Sequence, residues 1–285
     1  MNTSSIVGGR RSTKIALDVL TWLVLVVMLA PIVYLVLASL QDNLSLSTGE
    51  FDLFSPSFEA FTTMWSRVDY SHFLINSIVI SAGAAALATA FASTAGYALA
   101  RFRFRGSRPY ELTIIGTQLV PGSMFLLPVF LGFIWLQQHT FLQLQDTRWG
   151  MVIVYTAFFT PVSIFLMRAF FVAVPRELED AARVDGCSHF GAFVRVVLPA
   201  TAPGIAATFV YSFLFSFDEV LFASQLTQDD ARTLPIGIRL FTSAHSEQYA
   251  QLLAAGVVST LPIMVAFFAT QRWLVKGLTA GAVKG

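Results

Sequence analysis

Charged residues are scarce in this sequence. Only 12% of the 285 residues are Asp, Glu, Lys or Arg, whereas 55% are hydrophobic. A soluble globular domain carries about 25% charged residues, so the composition indicates a protein whose solvent is largely lipid. The formal net charge of +1 favours neither a nucleic acid nor a strongly acidic molecule as the partner.

Cysteine and the common catalytic motifs are also missing or nearly so. Cys187 is the only cysteine, which excludes an internal disulfide and a metal site built on several thiolates. The sequence has no GxxxxGK[ST] phosphate loop and no HExxH, and no GxSxG follows a predicted strand. The four histidines lack metal-ligand spacing. We therefore expect no catalysis, no metal site and no ATP hydrolysis by this chain itself.

Long apolar runs account for most of the sequence. Each of six runs provides the roughly 20 residues that a helix needs to cross a bilayer. They cover residues 16–40, 73–99, 111–136, 149–172, 203–226 and 252–275. The first run follows a basic stretch, as in a secretory signal peptide, but its apolar core exceeds the usual span of about 7–15 residues. We therefore expect this helix to be retained, and we predict an all-α, polytopic membrane protein with six transmembrane helices.

Small residues mark the second run, and prolines lie within the third and the fourth. Ala88, Ala92 and Gly96 lie four apart in the second run, a spacing that allows another helix to approach closely in a membrane. The third and fourth runs contain prolines, which predict kinks; these are Pro121, Pro128 and Pro161. Kinked helices are suited to lining a cavity, although packing alone also accounts for them.

Basic residues are distributed unevenly between the two sides of the predicted membrane. If the N-terminus lies inside, the outer segments contain only Arg67, Arg148, Arg232 and Arg239. The densest basic group, Arg101 to Arg108, then lies inside, and we interpret it as a topology anchor rather than a binding patch. By the positive-inside rule, both termini are cytoplasmic and the protein is a multi-pass component of the plasma (inner) membrane. The predicted divisions are a cytoplasmic tail at 1–14, a transmembrane domain at 15–277 and a second cytoplasmic tail at 278–285.

Residues 175–199 form a long polar segment between two apolar runs, and this segment carries its own helix signals. Pro175 suits a first helical position, and acidic residues crowd the first turn, where the helix dipole favours them. Gly186 follows as a left-handed stop, and Ser188 can cap a second helix that Pro199 ends. The pattern predicts two short cytoplasmic helices between the fourth and fifth spans, with a plain interfacial loop as the alternative.

Few polar residues fall inside the apolar runs. Acids within a membrane are costly and usually face a bundle interior or a wet path. Asp218 and Glu219 in the fifth run therefore either line a transport route or anchor the helix at the outer interface. Asn76 and Gln118 either face a solute or form hydrogen bonds between helices.

The 175–199 segment resembles a known signature. From Asp180 to Pro199 it reads DAA-x2-DGC-x8-V-x-LP, which is similar to EAA-x2-DGA-x8-I-x-LP, the mark of permease subunits of binding-protein-dependent ABC importers. The ending QRWLVKGLTAGAVKG and the run from Tyr97 to Arg101 resemble the shorter of the two partner permeases in maltose-type carbohydrate importers. In the fifth span, this chain has Asp218 where that family often has Asn.

The resemblance implies that the first short helix of the segment docks into a groove on an ATPase subunit and couples to it. Small side chains at Ala181 and Ala182 would allow close approach, Gly186 would permit the turn, and Glu179 and Asp180 would pair with basic residues of the groove. The residues implied in coupling are Glu179, Asp180, Ala181, Ala182, Asp185, Gly186, Leu198 and Pro199.

The resemblance also implies a set of partners. These are a second homologous permease, two ATPase subunits that bind ATP and Mg, an extracytoplasmic solute-binding protein and membrane lipid. The chain itself would hold no cofactor, and its solute would be a sugar or a related compound. A flexible tail containing Gly277, Thr279 and Gly281 is expected to reach the ATPase dimer interface.

Three other functions remain open from the sequence. The same importer architecture could carry a glycerophosphodiester, a peptide or an amino acid. An ion-coupled secondary transporter could use Asp218 or Glu219, although such folds often contain internal repeats and none is clear between residues 1–140 and 141–285. A membrane-embedded enzyme lacks any catalytic constellation.

Overall fold

The structure is a computed structural model that describes residues 4–49, 56–243 and 246–282. Residues 1–3 and 283–285 of the two predicted tails lie outside the described residues. Internal contacts divide the chain into two compact units: residues 1–68 with 241–258, and residues 69–240 with 259–285.

The first unit is built mainly from helices. It contains α1 (Ser4–Ser39), α2 (Asn43–Thr48), α3 (Glu59–Arg67) and the start of α14 (Tyr249–Ala282). The 3₁₀ turn Ile238–Phe241 is followed in sequence by an antiparallel hairpin. Its two strands, β1 (Thr242–Ser243) and β2 (Ser246–Glu247), have two residues each. The Asn43 amide joins α2 to α14 by donating to Gln251 Oε1 and accepting from Ala250 N, each at 2.9 Å.

The second unit contains the remaining helices. They are α4 (Tyr70–Arg101), α5 (Ser107–Leu119), α6 (Ser123–His139), α7 (Arg148–Ala173), α8 (Arg176–Val184), α9 (His189–Ala192), α10 (Leu198–Ala200), α11 (Ala202–Phe217), α12 (Ala223–Leu226) and α13 (Leu234–Gly237). A π-helical turn, Phe193–Val197, separates α9 from α10. The described residues are therefore almost entirely helical, as predicted.

The core of the second unit is the packing of α4 along α7, with α11 against both. The predicted small-residue stripe lies at this contact, since Ala88, Ala92 and Gly96 are all buried. A Cβ atom added to Gly96 would lie 3.0 Å from Arg168 N and 3.1 Å from Ile164 O. Because both of these are backbone atoms, the two helices can be this close only where α4 has no side chain.

The predicted third span is broken rather than continuous. Its residues form α5 and α6, which are bent by 99° relative to each other. The break falls at Val120, Pro121 and Gly122, and Val120 has the extended backbone (φ −86°, ψ 123°) that proline imposes on the preceding residue. Proline cannot donate an N–H to the helix, so Pro121 ends α5. Pro128 and Pro161, by contrast, lie inside α6 and α7.

The predicted fifth span ends earlier than the hydropathy suggested. Helix α11 stops at Phe217, and Asp218 follows as its C-cap residue. The carboxylate of Glu219 then accepts backbone N–H groups from the next turn, at Leu221, Phe222 and Ala223. Asp218 and Glu219 therefore lie in a break between α11 and α12, not within a helix.

Among the described residues, four helices are long and apolar enough to cross a membrane. They are Leu17–Ser39, Tyr70–Arg101, Arg148–Ala173 and Tyr249–Arg272, matching the first, second, fourth and sixth predicted spans. The bent pairs α5 with α6, and His189–Ala200 with α11, raise the number to six if each pair counts as one span. The fold is thus polytopic, with four to six membrane-crossing segments.

The carboxylate of Asp146 fixes the loop that follows α12. It accepts four consecutive backbone N–H groups at 2.8–3.1 Å, from Gln228, Asp229, Asp230 and Ala231. Partial burial opposes ionisation of Asp146, but these four hydrogen bonds outweigh it and hold its pKa below the ordinary value. The loop is therefore bound to the start of α7 through a single charged side chain.

The glycine in the helix contact gives a stability prediction. Gly96→Ala should destabilise the protein by about 1–3 kcal/mol, because the added methyl meets backbone atoms that must move apart. The midpoint of thermal unfolding in detergent measures this. Gly116→Ala is the matched control: nothing lies within 4 Å of a Cβ at that helical position, so its midpoint should be unchanged or slightly raised. Equal midpoints for the two variants would contradict the close α4–α7 contact.

The Asp146 loop gives a second prediction. Asp146→Asn should lower the hydrogen-exchange protection of the amides of residues 228–231 about tenfold, the equivalent of one hydrogen bond to a charged group of about 1.5 kcal/mol. Asp229→Asn, which changes an exposed carboxylate of the same loop, should leave that protection unchanged.

Lowering the pH should also reduce the hydrogen-exchange protection of residues 228–231. Since the folded-state pKa of Asp146 is lowered, its contribution is complete above the ordinary aspartate pKa of about 3.9 and is lost as the pH falls through the lower folded-state value. Protection of residues 228–231 that is independent of pH across this range would contradict the role of the ionised carboxylate.

Candidate functional site

The 175–199 segment folds as two short helices joined by a turn. Helix α8 ends at Val184 with Asp185 as its C-cap residue, and Gly186 adopts a left-handed conformation with φ 91°. The Cys187 N–H donates to Ala182 O at 3.0 Å and closes the turn. Ser188 Oγ accepts the Gly191 N–H at 3.0 Å and caps α9. The predicted helix–turn–helix is therefore confirmed, together with its glycine stop and its serine cap. Two details differ: Pro175 is the N-cap residue of α8 rather than its first helical residue, and Pro199 lies within α10 instead of ending the second helix.

Helix α8 presents two different faces. Glu179 and Ala182 are buried, and they lie three residues apart on the side that faces the protein. Asp180, Ala181 and Val184 are exposed on the opposite side. Only one alanine of the predicted pair is thus available for close approach by another protein, because Ala182 is directed inward.

Glu179 has a partner within the chain. Its Oε2 lies 3.1 Å from Arg101 Nε, and its Oε1 accepts a hydrogen bond from the Tyr97 hydroxyl. Arg101 also donates from Nη2 to the Val174 carbonyl at 2.9 Å. The pairing of Glu179 with an ATPase therefore stays a prediction, because the Glu179 carboxylate already has two partners within the chain, and Arg101 is more than a topology anchor. The residues are 78 apart in sequence, so no local pattern could have indicated the pair.

The remaining residues implied in coupling are distributed over the segment. Asp180 is 70% exposed, with only a 3.9 Å contact to Arg183 on its own helix. Asp185 and Pro199 are exposed. Leu198 is half-buried and packs against the core cluster around α4 and α7. Leu198 therefore anchors the segment, whereas Asp180, Asp185 and Pro199 are accessible.

Exposed apolar side chains add to the outer surface of the segment. Val184 is 88% exposed and Phe190 is 74% exposed. Exposed apolar groups on a polar element are typical of a surface that another protein covers. Neither residue was predicted to contact a partner, although large apolar side chains in a polar segment are a signal that could have identified them.

The residues predicted to form a flexible C-terminal tail are helical. Helix α14 continues through Gly277, Thr279 and Gly281 to Ala282. The backbone here is therefore a regular extension of the last span rather than an irregular tail.

Asn76 acts between structural elements. It is fully buried; its amide donates to the carbonyl oxygens of Asp230 and Arg232 at 2.9 Å, and its oxygen accepts from Arg148 Nε at 2.7 Å. His72 Nε2 also contacts the Asp230 carbonyl, at 2.8 Å. Of the two roles predicted for Asn76, the structure supports hydrogen bonding between helices, since both donor positions of the amide are in use.

A cleft of about 770 Å³ lies beside the end of α11. Its lining includes Phe159, Phe215, Asp218, Glu219 and Ile263. Glu219 is held in place, since it caps the following turn and accepts a hydrogen bond from the Tyr155 hydroxyl at 2.9 Å. The Asp218 side chain is exposed and makes no hydrogen bond or ion pair to any described residue.

Gln118 lies apart from this cleft. Its side chain is exposed on the last turn of α5, where Nε2 donates to Thr117 Oγ1 at 3.4 Å. The four polar residues predicted on a solute path are therefore not gathered at one site. Among the described residues, no group of His, Cys, Asp and Glu side chains is arranged to hold a metal ion.

Comparison with known proteins identifies related chains. A trehalose transport system permease protein, SugB of Mycobacterium tuberculosis, is 32% identical over 98% of this chain and 100% of its own length. An arabinooligosaccharides transport system permease protein, AraQ of Halalkalibacterium halodurans, is 32% identical over 90% of this chain and 91% of its own. A trehalose/maltose transport system permease protein, MalG of Thermococcus litoralis, is 28% identical over 92% and 94%.

A solved structure supports the fold. A chain of a bacterial ABC transporter involved in the import of the acidic polysaccharide alginate is similar with a TM-score of 0.75, covering 95% of this chain and 98% of that one, at 20% sequence identity. The sequence profile of the family described as binding-protein-dependent transport system inner membrane component matches residues 92–280. The chain belongs to this family of binding-protein-dependent transport system inner membrane components, which are membrane permease subunits and not enzymes.

Proposed function

We propose that this chain is one of two permease subunits of an ABC importer for a carbohydrate. The observation that carries the proposal is the 175–199 segment, a helix–turn–helix with an accessible outer surface at the end of the α4–α7 pair. The sugar transport named in the relatives SugB, AraQ and MalG supports a sugar or related solute. The other subunits are a second homologous permease, two ATPases that bind ATP and Mg, and an extracytoplasmic binding protein.

The outer surface of α8 docks into a groove of an ATPase subunit. Asp180 supplies an accessible charge for a basic residue of that groove, Ala181 permits close approach, and Val184 supplies apolar area. Gly186 makes the turn that presents α8. The uneven distribution of basic residues supports an orientation in which this segment and both termini are cytoplasmic. The end of α14, with Gly277, Thr279 and Gly281, approaches the ATPase pair as a helix.

The cleft at the end of α11 is the part of the solute path that this chain provides. A ligand site combines apolar and aromatic walls with a few polar groups. Phe159 and Phe215 supply ring faces 6.2 Å apart between centroids, and Asp218 supplies a free hydrogen-bond acceptor for sugar hydroxyls. Glu219 shapes the cleft through its cap. Asn76 is occupied elsewhere, and Gln118 does not line this cleft, so neither is assigned to it.

The importer assignment is tested by purifying the tagged chain from its native membrane in mild detergent. An ATPase and a second permease should accompany the wild-type chain. Gly186→Arg should insert normally in the membrane but lose the ATPase and abolish solute uptake. A non-glycine residue at φ 91° is strained by about 1–2 kcal/mol, and the arginine side chain would also obstruct the docking surface.

Gly106→Arg is the matched control for this variant. Gly106 also has a left-handed backbone, with φ 99°, and a Cβ there would meet nothing within 4 Å, but the residue lies outside the 175–199 segment. Uptake of trehalose, maltose and arabino-oligosaccharides, with ATP and then with an ion gradient alone, gives the activity. A wild-type chain that purifies alone and transports on the ion gradient would refute the importer assignment.

The solute cleft has its own test. Asp218→Asn should reduce uptake at low solute concentration about tenfold, because a hydrogen bond to a charged acceptor is worth about 1.5 kcal/mol or more, while the ATPase remains bound. Asp229→Asn removes an exposed carboxylate outside the cleft and should leave uptake unchanged. Uptake by Asp218→Asn at the wild-type rate would remove this cleft from the solute path without affecting the importer assignment.

A further inference from the structure

The ion pair between Arg101 and Glu179 is buried. The Arg101 side chain is 6% exposed and that of Glu179 is 11% exposed. Removing two charges from water is costly unless their geometry is good and their other hydrogen-bonding groups are also satisfied. Here the Tyr97 hydroxyl donates to the second oxygen of Glu179, and Arg101 also donates to the Val174 carbonyl. The pair is therefore a specific connection between α4 and α8.

Two aromatic rings pack against the Tyr97 side of this connection. The Tyr97 ring lies 5.7 Å from Phe171 and 4.4 Å from Phe193, measured between centroids, and both phenylalanines are buried. Phe171 belongs to α7 and Phe193 to the π-helical turn after α9. Exclusion of water strengthens the electrostatic attraction within the pair. The Tyr97 ring, near the end of α4, thus contacts α7, which precedes α8, and the π-helical turn, which follows α9.

Helix α8 has few other attachments to α4. Its buried side chains are Glu179 and Ala182, and alanine offers little area. Arg176 Nη2 reaches the carbonyl oxygens of Ala100 and Arg101 at 3.4 and 3.5 Å, long contacts from an exposed side chain. Within the described part of the chain, Glu179 thus provides the one buried charged contact of α8.

The attachment point on α4 adjoins the close backbone contact between α4 and α7. Gly96, where α4 meets the backbone of α7, immediately precedes Tyr97 and lies five residues before Arg101. Glu179 is therefore attached to α4 next to the place where α4 and α7 are packed backbone to backbone.

We propose that Tyr97, Arg101 and Glu179 form a positioning joint that makes α8 and α4 move together when an ATPase displaces α8. This inference rests on the proposed function, because it assumes that α8 is the element on which the ATPase acts. It assigns a role to three residues that act through α8 rather than by touching the solute or ATP.

The test measures whether α8 and α4 keep a fixed distance during the ATP cycle. Cys187 is the only cysteine of the chain, so Ser71→Cys, at the exposed first turn of α4, completes a pair of spin-label positions. Double electron–electron resonance is recorded on the whole importer, with the other subunits' cysteines replaced, without nucleotide and after trapping with ATP and vanadate. In the wild-type joint, the distance distribution should be narrow and the same in both states.

A variant without the joint should behave differently only in the trapped state. Tyr97→Phe, Arg101→Met and Glu179→Leu are combined, because replacing a whole buried polar cluster by apolar side chains of similar size preserves stability better than removing one partner. The triple variant should still bind the ATPase, and its distance distribution should broaden and shift after trapping. Arg103→Met, which removes an exposed arginine two residues beyond Arg101, should match the wild type in both states.

Two outcomes would overturn the joint. A triple variant whose trapped-state distribution equals that of the wild type would show that packing alone carries the movement. A wild-type distance that changes on trapping would show that α8 moves independently of α4. Failure of the wild-type chain to bind any ATPase is a different result, because it removes the proposed function and is detected before any distance is measured.

Discussion

The packing of α4 against α7 without an intervening side chain is the constraint on which this structure depends. Inside a membrane, apolar side chains gain little by leaving lipid for protein, so helices associate through close van der Waals contact. Gly96 permits that contact, since a methyl group there would lie 3.0–3.1 Å from backbone atoms of α7. Helix α11 adds to this pair. The 175–199 segment and the cleft by α11 are positioned by these three helices.

Helix α4 carries a polar attachment near each end, and the two differ in chemistry. Near its start, the neutral amide of Asn76 binds backbone carbonyls of the loop that Asp146 also holds. Near its end, the charge of Arg101 binds Glu179. Between them the buried face is mostly small and apolar. Helix α4 thus contacts both the loop after α12 and helix α8.

Local rules predicted much of this structure. The turn at Gly186 and the cap at Ser188 follow from backbone preferences of single residues, and four spans follow from the length of apolar runs. The partner of Glu179 was not predictable, because a contact across 78 residues depends on the tertiary fold. The sequence placed Asp218 inside a helix because the run continues to residue 226, whereas Glu219 caps a new turn and ends α11. Proline at 121 predicted a kink, but a full break formed.

The break between α5 and α6 has a consequence for how the bilayer surrounds this chain. With 13 and 17 residues, these helices rise about 20 and 26 Å, so neither alone crosses a hydrocarbon layer of about 30 Å. When the two together form one span, Val120 to Gly122 lie at membrane depth. Backbone that leaves the helical pattern there is tolerated only against protein or water. In that arrangement, protein or water must cover residues 120–122, whereas lipid acyl chains can cover the rest of the outward-facing surface.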